Sequence, residues 1–308
     1  MKRVFVCAVA CALIGLILPS LLGAQPGRAT ASGRIYNTVK QKLAEGKQVI
    51  GGTIYLSDVS TYCAMASSGF DFTWIEMQHG TMTYSDAAKM IFACRGNPAI
   101  PFLRVPDATE GDIQKATDVG ALGIIVPMVE SVEKIENAVK FAKYPPLGKR
   151  SSGGNQAGAI WGNDYRQTAN DNIMIVAMIE SPAGVAIADK IAAVPGVDVV
   201  FAASGDLSSF SGRAQGDPQY EALVTKIKEA TLKAGKKVGG PQSWTNRPDF
   251  HFFQGGGEVQ FIRSGAQMSL GITPAGRDGA GGRGGTGVQG APGGARRGGG
   301  PIGDPDPH

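Results

Sequence analysis

Residues 173–212 read IMIVAMIESPAGVAIADKIAAVPGVDVVFAASGDLSSFSG, and this stretch decides the fold. Its two apolar runs, Ile173–Ile179 and Val197–Ala202, are rich in strand-forming residues and too short for ordinary helices. Between them, Ala183–Val194 has the apolar spacing of a helix, and the Ser-Pro pair before it suits a helix N-terminus. The stretch therefore predicts two parallel strands joined by a right-handed helical crossover.

A carboxylate follows each of these strands, Glu180 after the first and Asp206 after the second. Neighbouring strands lie about 5 Å apart, so both carboxylates are expected at one edge of the sheet, where α/β proteins carry their chemistry. Two oxygen ligands with no Cys or His beside them suit a hard divalent cation such as Mg²⁺ or Mn²⁺. The alternative is that Glu180 caps a helix and Asp206 opens a loop.

The alternation of strand and helix extends over residues 34–270. Eight strands are predicted, and strict alternation at this length favours a closed (β/α)8 TIM barrel, an α/β fold, over an open doubly wound sheet. At its end the pattern predicts a short helix over Asn246–Gln254 and a last strand over Glu258–Ile262, with a glycine-rich tail in place of the final helix. The long polar excursion over residues 144–172 is expected to be either functional or disordered.

Both ends of the chain are predicted to lie outside the barrel. Residues 1–24 have a basic start, an apolar middle and a small-residue cleavage site, as secretory signal peptides do. An uncleaved membrane anchor is the alternative. Residues 25–33 are interpreted as a linker, and residues 271–308, rich in Gly, Pro and Arg, as a disordered tail. The mature chain is therefore expected to be exported, periplasmic or secreted, with no stable membrane anchor after cleavage.

Two cysteines remain after the predicted cleavage, Cys63 and Cys94. In an oxidising compartment they could pair, but each also fits a core position of a helix, and the sequence leaves both readings open.

Composition and motifs argue against several functional classes. The net charge of +4 is modest, and no compact basic surface with interleaved aromatic residues points to a nucleic-acid partner. No Gly-x-Gly-x-x-Gly follows the first strand, and no phosphate-binding Gly-Lys-Ser/Thr loop is present, which weakens a nucleotide-binding interpretation.

Further polar residues gather where the predicted strands end: Glu76, Gln78 and His79 after the second strand and Arg104 at the end of the third. Arg104 offers a planar fork for a substrate carboxylate, and its alternative role is a buried ion pair with Glu76 or Asp206. His79 is a candidate base, although a lone histidine is more often structural. No lysine ends a strand, which disfavours a Schiff base and leaves metal-stabilised enolate chemistry.

Six motifs carry a resemblance to a known family over about residues 35–265. They are FDFTWIEMQH (70–79), LRVP (103–106), VPMV (126–129), YPPLGKR (144–150), IES (179–181) and SGDLS (204–208). In this order the chain resembles the HpcH/HpaI aldolases, metal-dependent class II pyruvate aldolases with a TIM-barrel fold, in a superfamily that also holds citrate-lyase-like proteins.

The resemblance implies how a substrate would be held. Glu180 and Asp206 would bind a divalent cation, Mg²⁺, Mn²⁺ or Co²⁺. Arg104 would hold the carboxylate of a small 2-oxo acid and steady the developing charge. The backbone N–H groups of Gly205 and Asp206 would bind the pyruvate carboxylate.

The resemblance also implies an acid/base group and a reaction. His79 would act at the aldol hydroxyl, Glu76 occupies the position of the family's aspartate that partners this histidine, and Gln78 occupies that of a family glutamate beside the substrate. The reaction would be the reversible cleavage of a 4-hydroxy-2-oxo acid to pyruvate and an aldehyde, carried out by a homo-oligomer.

Two hypotheses follow from the sequence. The first is the metal-dependent lyase. The second is an exported oxo-acid-binding barrel whose catalytic site has degraded, because Glu76, Gln78 and Met178 differ from the residues usual in the family.

Overall fold

The computed structural model describes residues 33–153 and 155–272. Eight parallel strands close into a barrel in sequence order, which confirms the predicted TIM barrel. The strands are β1 (Val49–Ile54), β2 (Phe72–Glu76), β3 (Ile100–Arg104), β4 (Gly123–Val126), β5 (Met174–Ile179), β6 (Val199–Ala202), β7 (Lys237–Pro241) and β8 (Phe250–Gly257).

Helices follow the strands and cover the outside of the barrel. Those of the described residues are α1 (Thr38–Ala44), α2 (Val59–Ser67), α3 (Tyr84–Ala93), α4 (Glu110–Asp118), α5 (Val132–Ala142), α6 (Asn155–Trp161), α7 (Tyr165–Asn172), α8 (Pro182–Ala186), α9 (Ala188–Ala193), α10 (Ser204–Ser211), α11 (Pro218–Lys233) and α12 (Glu258–Ser269). A 3-10 turn, Gln242–Trp244, follows β7. Within this part of the chain, no helix has the length and apolar character needed to cross a bilayer.

The stretch over residues 173–212 folds as predicted, with one difference in its helix. Strands β5 and β6 are parallel neighbours, with Ile179 opposite Ala202 at their C-terminal ends. The crossover is divided into α8 and α9 at Ile187, whose backbone leaves the helical conformation. The carboxylates that follow both strands therefore lie on the same end of the barrel, which we call the mouth.

The predicted end of the barrel is wrong in its details. The predicted helix over Asn246–Gln254 is largely strand β8, and the predicted strand over Glu258–Ile262 is the start of α12. The barrel therefore has a helix after its last strand, where the sequence analysis placed only a tail. Phe252 packs inside the barrel, as a strand allows, and Glu258 lies in the first turn of α12, where a carboxylate is favourable.

The barrel interior is filled by aromatic rings. Phe72 packs against Phe102 and Phe252, with ring centroids 4.8 and 4.5 Å apart, and Trp74 meets Phe201 at 5.3 Å. These inward-facing residues belong to alternate positions of strands, as a barrel core requires. The packed interior supports the polar side chains that the strand ends present at the mouth.

The excursion over residues 144–172 lies at the opposite, bottom end of the barrel. It contains α6 and α7, and the Gln156 amide donates to backbone carbonyls of α3 and of the residue after α4, at 2.9 and 2.8 Å. Asn172 is fully buried and binds the incoming chain, accepting from the Tyr36 N–H at 2.7 Å and donating to the Arg34 carbonyl at 2.9 Å. The excursion is thus a structural element of the bottom face.

The predicted terminal segments fall almost wholly outside the described residues. This holds for the signal peptide (1–24), for the linker (25–33) except Gly33, and for the tail (271–308) except its first two residues. These assignments stay predictions.

A disulfide joins Cys63 on α2 to Cys94 at the end of α3, which answers the question that the sequence left open. The two residues are 31 positions apart and their Cα atoms are 5.3 Å apart, within the range that a disulfide spans. The bond ties together the two helices that follow β1 and β2.

We predict that removing this cross-link lowers the free energy of unfolding by about 3–4 kcal/mol, because the unfolded chain gains the entropy of an open loop of this length. The measurement is chemical denaturation of the wild type with and without a thiol reductant. The Cys63→Ala/Cys94→Ala double variant is the control and should match the reduced wild type in both conditions. Equal midpoints for the oxidised wild type and the double variant would contradict the prediction.

Candidate active site

The Glu76 carboxylate is the centre of the polar cluster at the mouth. It is fully buried, and it accepts four hydrogen bonds. Its Oε1 accepts from the backbone N–H groups of Gln78 and His79 at 2.8 and 3.1 Å. Its Oε2 accepts from Arg104 Nε at 2.6 Å and from the Trp74 indole at 3.3 Å. One carboxylate therefore fixes both the turn after β2 and the side chain at the end of β3.

Arg104 is held by this contact and still presents donors to the mouth. Strands β2 and β3 pair with Glu76 opposite Arg104, which places the two side chains next to each other. The ion pair with Glu76, one of the two predicted alternatives, is formed. It uses only Nε, while Nη1 makes a long contact of 3.9 Å with the Met178 sulfur. The outer edge of the guanidinium remains able to bind a carboxylate.

The two predicted metal ligands lie next to each other, as the sequence predicted from β5 and β6. Glu180 is 2% exposed. Burial raises the pKa of the Glu180 carboxyl to about 7; the Met128 N–H opposes this rise, and the neighbouring Asp206 adds to it. Arg104 is close enough to lower the same pKa. The structure thus brings Glu180, Asp206 and Arg104 to one place.

Met128 was missed by the sequence analysis as part of this cluster. Its backbone N–H donates to Glu180 Oε1 at 2.8 Å, and its φ of 49° lies in the left-handed region that non-glycine residues rarely adopt. Such a conformation costs about 1–3 kcal/mol and persists where the surroundings require it. This backbone conformation could not be predicted from the residue type, because methionine does not favour it.

The donor set fits a divalent cation. Within residues 33–153 and 155–272, neither Glu180 nor Asp206 forms a salt bridge, so two adjacent carboxylates share a site with no cation of their own. No group of three or more His, Cys, Asp or Glu side chains with metal-binding spacing occurs in the described residues. Two carboxylates are nevertheless enough for a hard ion such as Mg²⁺, which keeps several of its other positions for water and substrate oxygens.

The N-terminus of α10 supplies backbone donors beside these carboxylates. Gly205 and Asp206 lie in its first turn, whose N–H groups have no partner within the helix. Ala203, the residue before the helix, provides no side-chain cap. The predicted binding of a substrate carboxylate by these two N–H groups is therefore compatible with the local structure.

His79 and Gln78 lie on the turn after β2, at the rim. His79 is exposed, and its imidazole makes no hydrogen bond to any described residue; Glu76 binds the backbone N–H of His79 instead of its ring. The Gln78 Oε1 atom is buried and accepts no hydrogen bond in this part of the chain. An unpaired buried acceptor at the mouth is suited to a donor from a ligand.

Four further residues at the mouth were not predicted. Tyr55 follows β1, and partial burial and the Glu76 carboxylate both raise the pKa of its hydroxyl. Thr53 and Gln254 meet across β1 and β8, and Glu258 accepts the N–H groups of Tyr55 and the residue after it. The misassigned last strand hid Gln254 and Glu258. The available signal was Gln254, a polar residue directly after the apolar Phe252-Phe253, the pattern that marks the other strand ends.

Comparison with known proteins gives the family. The family model described as HpcH/HpaI aldolase/citrate lyase matches residues 55–247, more than half of the chain. A 2-dehydro-3,6-dideoxy-6-sulfogluconate aldolase of Pseudomonas putida is 32% identical over 62% of this chain and 75% of its own length. A 2-keto-3-deoxy-L-rhamnonate aldolase of Salmonella gallinarum is 30% identical over 66% of this chain and 78% of its own.

Solved structures agree with this result. The crystal structure of an HpcH/HpaI aldolase/citrate lyase family protein from Burkholderia cenocepacia matches with a TM-score of 0.69 and 26% identity, over 76% of this chain and 98% of that one. The region that the family model matches, residues 55–247, contains β2 to β7 with Glu76, Arg104, Glu180 and Asp206. The chain therefore belongs to the HpcH/HpaI aldolase/citrate lyase family, and it is a carbon–carbon lyase of the aldolase class.

Proposed function

We propose that this lyase is a divalent-metal-dependent aldolase that reversibly cleaves a 4-hydroxy-2-oxo acid to pyruvate and an aldehyde. The observation that carries the proposal is the pair of adjacent carboxylates, Glu180 and Asp206, that has no salt-bridge partner among the described residues and lies within electrostatic reach of Arg104. Such a set can hold a cation and an anionic substrate together. The names of the aldolase relatives support the same reaction class.

The chemistry needs one proton acceptor and stabilisation of one new charge. A bound cation supplies Lewis-acid stabilisation of the negative charge that develops on the oxo-acid oxygens. The base removes the proton of the C4 hydroxyl, the C3–C4 bond breaks, and its electron pair becomes the pyruvate enolate while C4 becomes the aldehyde carbon. A proton delivered to C3 then completes pyruvate.

The residues of this chain divide these tasks. Arg104 binds the substrate carboxylate, together with the N–H groups of Gly205 and Asp206. His79 lies on the rim and serves as acid/base at the C4 hydroxyl. Glu76, which is buried and saturated with hydrogen bonds, acts as a positioning residue for Arg104 and for the His79 turn.

The alternative function is an exported barrel that binds an oxo acid without turning it over. The departures at Glu76, Gln78 and Met178 motivate it. The arrangement of Glu76 favours the lyase, because its carboxylate orders the guanidinium and the turn that carries His79.

We also propose that the chain is exported and forms a homo-oligomer. Export is supported by the Cys63–Cys94 disulfide, since such bonds persist in oxidising compartments. Self-association is supported by α12, which exposes apolar side chains that a monomer would leave in water, among them Val259, Ile262 and Met268.

The test of the proposed function is pyruvate release from a panel of 4-hydroxy-2-oxo acids with Mg²⁺, Mn²⁺ or Co²⁺, against a chelator control. We expect release that stops with the chelator and returns when the ion is restored. Oxo-acid binding without release, across all ions and acids, would move the assignment to the binding protein.

We predict that Asp206→Asn lowers metal-dependent pyruvate release by about 100-fold or more, because it removes one of two charged ligands while keeping the side-chain shape. Cation binding, measured by calorimetry, should weaken in parallel. Asp189→Asn is the matched control, since Asp189 is an exposed carboxylate in the first turn of α9 on the outside of the barrel. An unchanged cation affinity in Asp206→Asn would contradict the ligand assignment.

We predict that Arg104→Lys lowers kcat/KM by about 100-fold, because an ammonium group cannot bond Glu76 and still present a fixed fork to the substrate. Steady-state kinetics with one oxo acid measures the effect. Arg95→Lys, on the exposed end of α3, is the control and should keep the wild-type rate. Wild-type kinetics for Arg104→Lys would remove Arg104 from the site.

A further inference from the structure

A cavity of about 410 Å³ opens at the mouth between the ends of β1 and β8. Thr53, Tyr55, Gln254, Gln260 and the apolar Val259 supply its side chains, and Gly255 to Gly257 supply backbone. It adjoins the catalytic cluster: Thr53 pairs with Trp74 across β1 and β2, and Trp74 donates to Glu76. Tyr55 lies on the cavity wall, and the charges of Glu76 and Arg104 are close enough to shift the pKa of its hydroxyl.

Glycine forms the backbone wall of the cavity and lets β8 approach β1 closely. A Cβ on Gly255 would lie 2.7 Å from the Gly51 carbonyl oxygen and 3.0 Å from Gln242 Oε1. A Cβ on Gly257 would lie 3.0 Å from the Tyr55 ring. Side chains at these positions would clash with β1 and with Tyr55, so this arrangement of β8 beside β1 requires glycine.

The polar groups of the cavity are neutral. Gln254 donates to Thr53 Oγ1 at 3.4 Å, and Thr53 donates to the Gly255 carbonyl at 2.9 Å. The Gln254 carbonyl oxygen accepts no hydrogen bond from a described residue. The Tyr55 hydroxyl and the Gln260 amide add further donors and acceptors.

Among the described residues, no charged side chain lines this space. Glu258 lies behind it, 1% exposed, with Oε1 bonded to the N–H groups of Tyr55 and Leu56 at 2.7 and 2.6 Å. Arg104 is already paired with Glu76 and is the expected partner of the oxo-acid carboxylate. A second anionic group, at the far end of a substrate, would find no cation here and would lose its hydration without compensation.

We propose that this cavity binds the aldehyde half of the substrate and selects an uncharged, hydroxylated aldehyde over a carboxylated, sulfonated or phosphorylated one. The inference rests on the proposed function, because it assigns the second product of the same cleavage. Gln254 is its main specificity-determining residue, held in position by Thr53. Thr53 is buried and Gln254 is half-buried, so a ligand that covers them without bonding them leaves polar groups unpaired, which gives a hydroxylated chain the advantage over an alkyl chain.

The experiment measures aldol addition of pyruvate to three aldehydes by the full chain with its divalent ion: glyceraldehyde, propionaldehyde and succinic semialdehyde. We expect kcat/KM for glyceraldehyde to exceed that for propionaldehyde by about tenfold or more, and that for succinic semialdehyde to be the lowest. Equal values for glyceraldehyde and propionaldehyde, or a preference for succinic semialdehyde, would overturn the inference.

Two variants test the role of Gln254. Gln254→Leu should lower the glyceraldehyde-to-propionaldehyde ratio by about tenfold, a ratio that a general loss of structure would not change. Gln254→Arg should raise the use of succinic semialdehyde relative to glyceraldehyde, since it places a cation in the cavity. Gln219→Leu, on the exposed first turn of α11, is the control and should keep the wild-type ratios. Wild-type ratios in both Gln254 variants would overturn the assignment of this residue.

Exchange of the pyruvate methyl protons in D₂O, followed by NMR, separates this inference from the proposed function. The exchange reports enolate formation and needs no aldehyde. If the wild type with its ion shows no exchange, the proposed function and this inference both fail. If exchange occurs but the aldehyde preference is absent or reversed, only the inference fails.

Discussion

The mouth of this barrel depends on one buried carboxylate. Glu76 gathers four donors, and through them it sets the direction of Arg104 and the course of the turn that carries Gln78 and His79. A buried charge with a full set of donors is tolerated, whereas losing one partner of a buried ion pair costs about 3–5 kcal/mol. The order of the site is thus tied to the folding of β2 against β3.

A second pair of carboxylates shows the opposite situation. Glu180 is buried beside Asp206, and neither carboxylate forms a salt bridge within the described residues, although Arg104 lies close enough to lower the pKa of Glu180. The protein itself supplies four hydrogen-bond donors to the Glu76 carboxylate, whereas the Glu180 and Asp206 carboxylates remain available to a ligand. All three side chains are carboxylates, so the residue type does not distinguish their roles. The difference in hydrogen-bond partners does, because it assigns Glu76 to positioning and fits Glu180 and Asp206 to ligand binding.

The sequence predicted that Glu180, Asp206 and Arg104 would come together, because each lies at or just after the end of an apolar strand and strand ends converge at one edge of a parallel sheet. It failed at the end of the barrel for a related reason. Buried phenylalanines occupy both faces of β8, Phe250 and Phe252 on one and Phe253 on the other, so the polar/apolar alternation that marks a strand is absent, and three glycines obscure the end of the strand. The sequence offered the Arg104–Glu76 ion pair as an alternative, but the other three donors of Glu76 lie within three residues of it and depend on local backbone and side-chain geometry that the residue types do not specify. The left-handed Met128 escaped because its backbone N–H binds Glu180, 52 residues further along the chain.

The position of the excursion over residues 144–172 bears on how products leave. In many barrels the longest connection covers the mouth, and its opening limits turnover. Here that connection is bound to the bottom face through Gln156 and Asn172. Release of the lyase's products therefore does not require this segment to move away from the barrel.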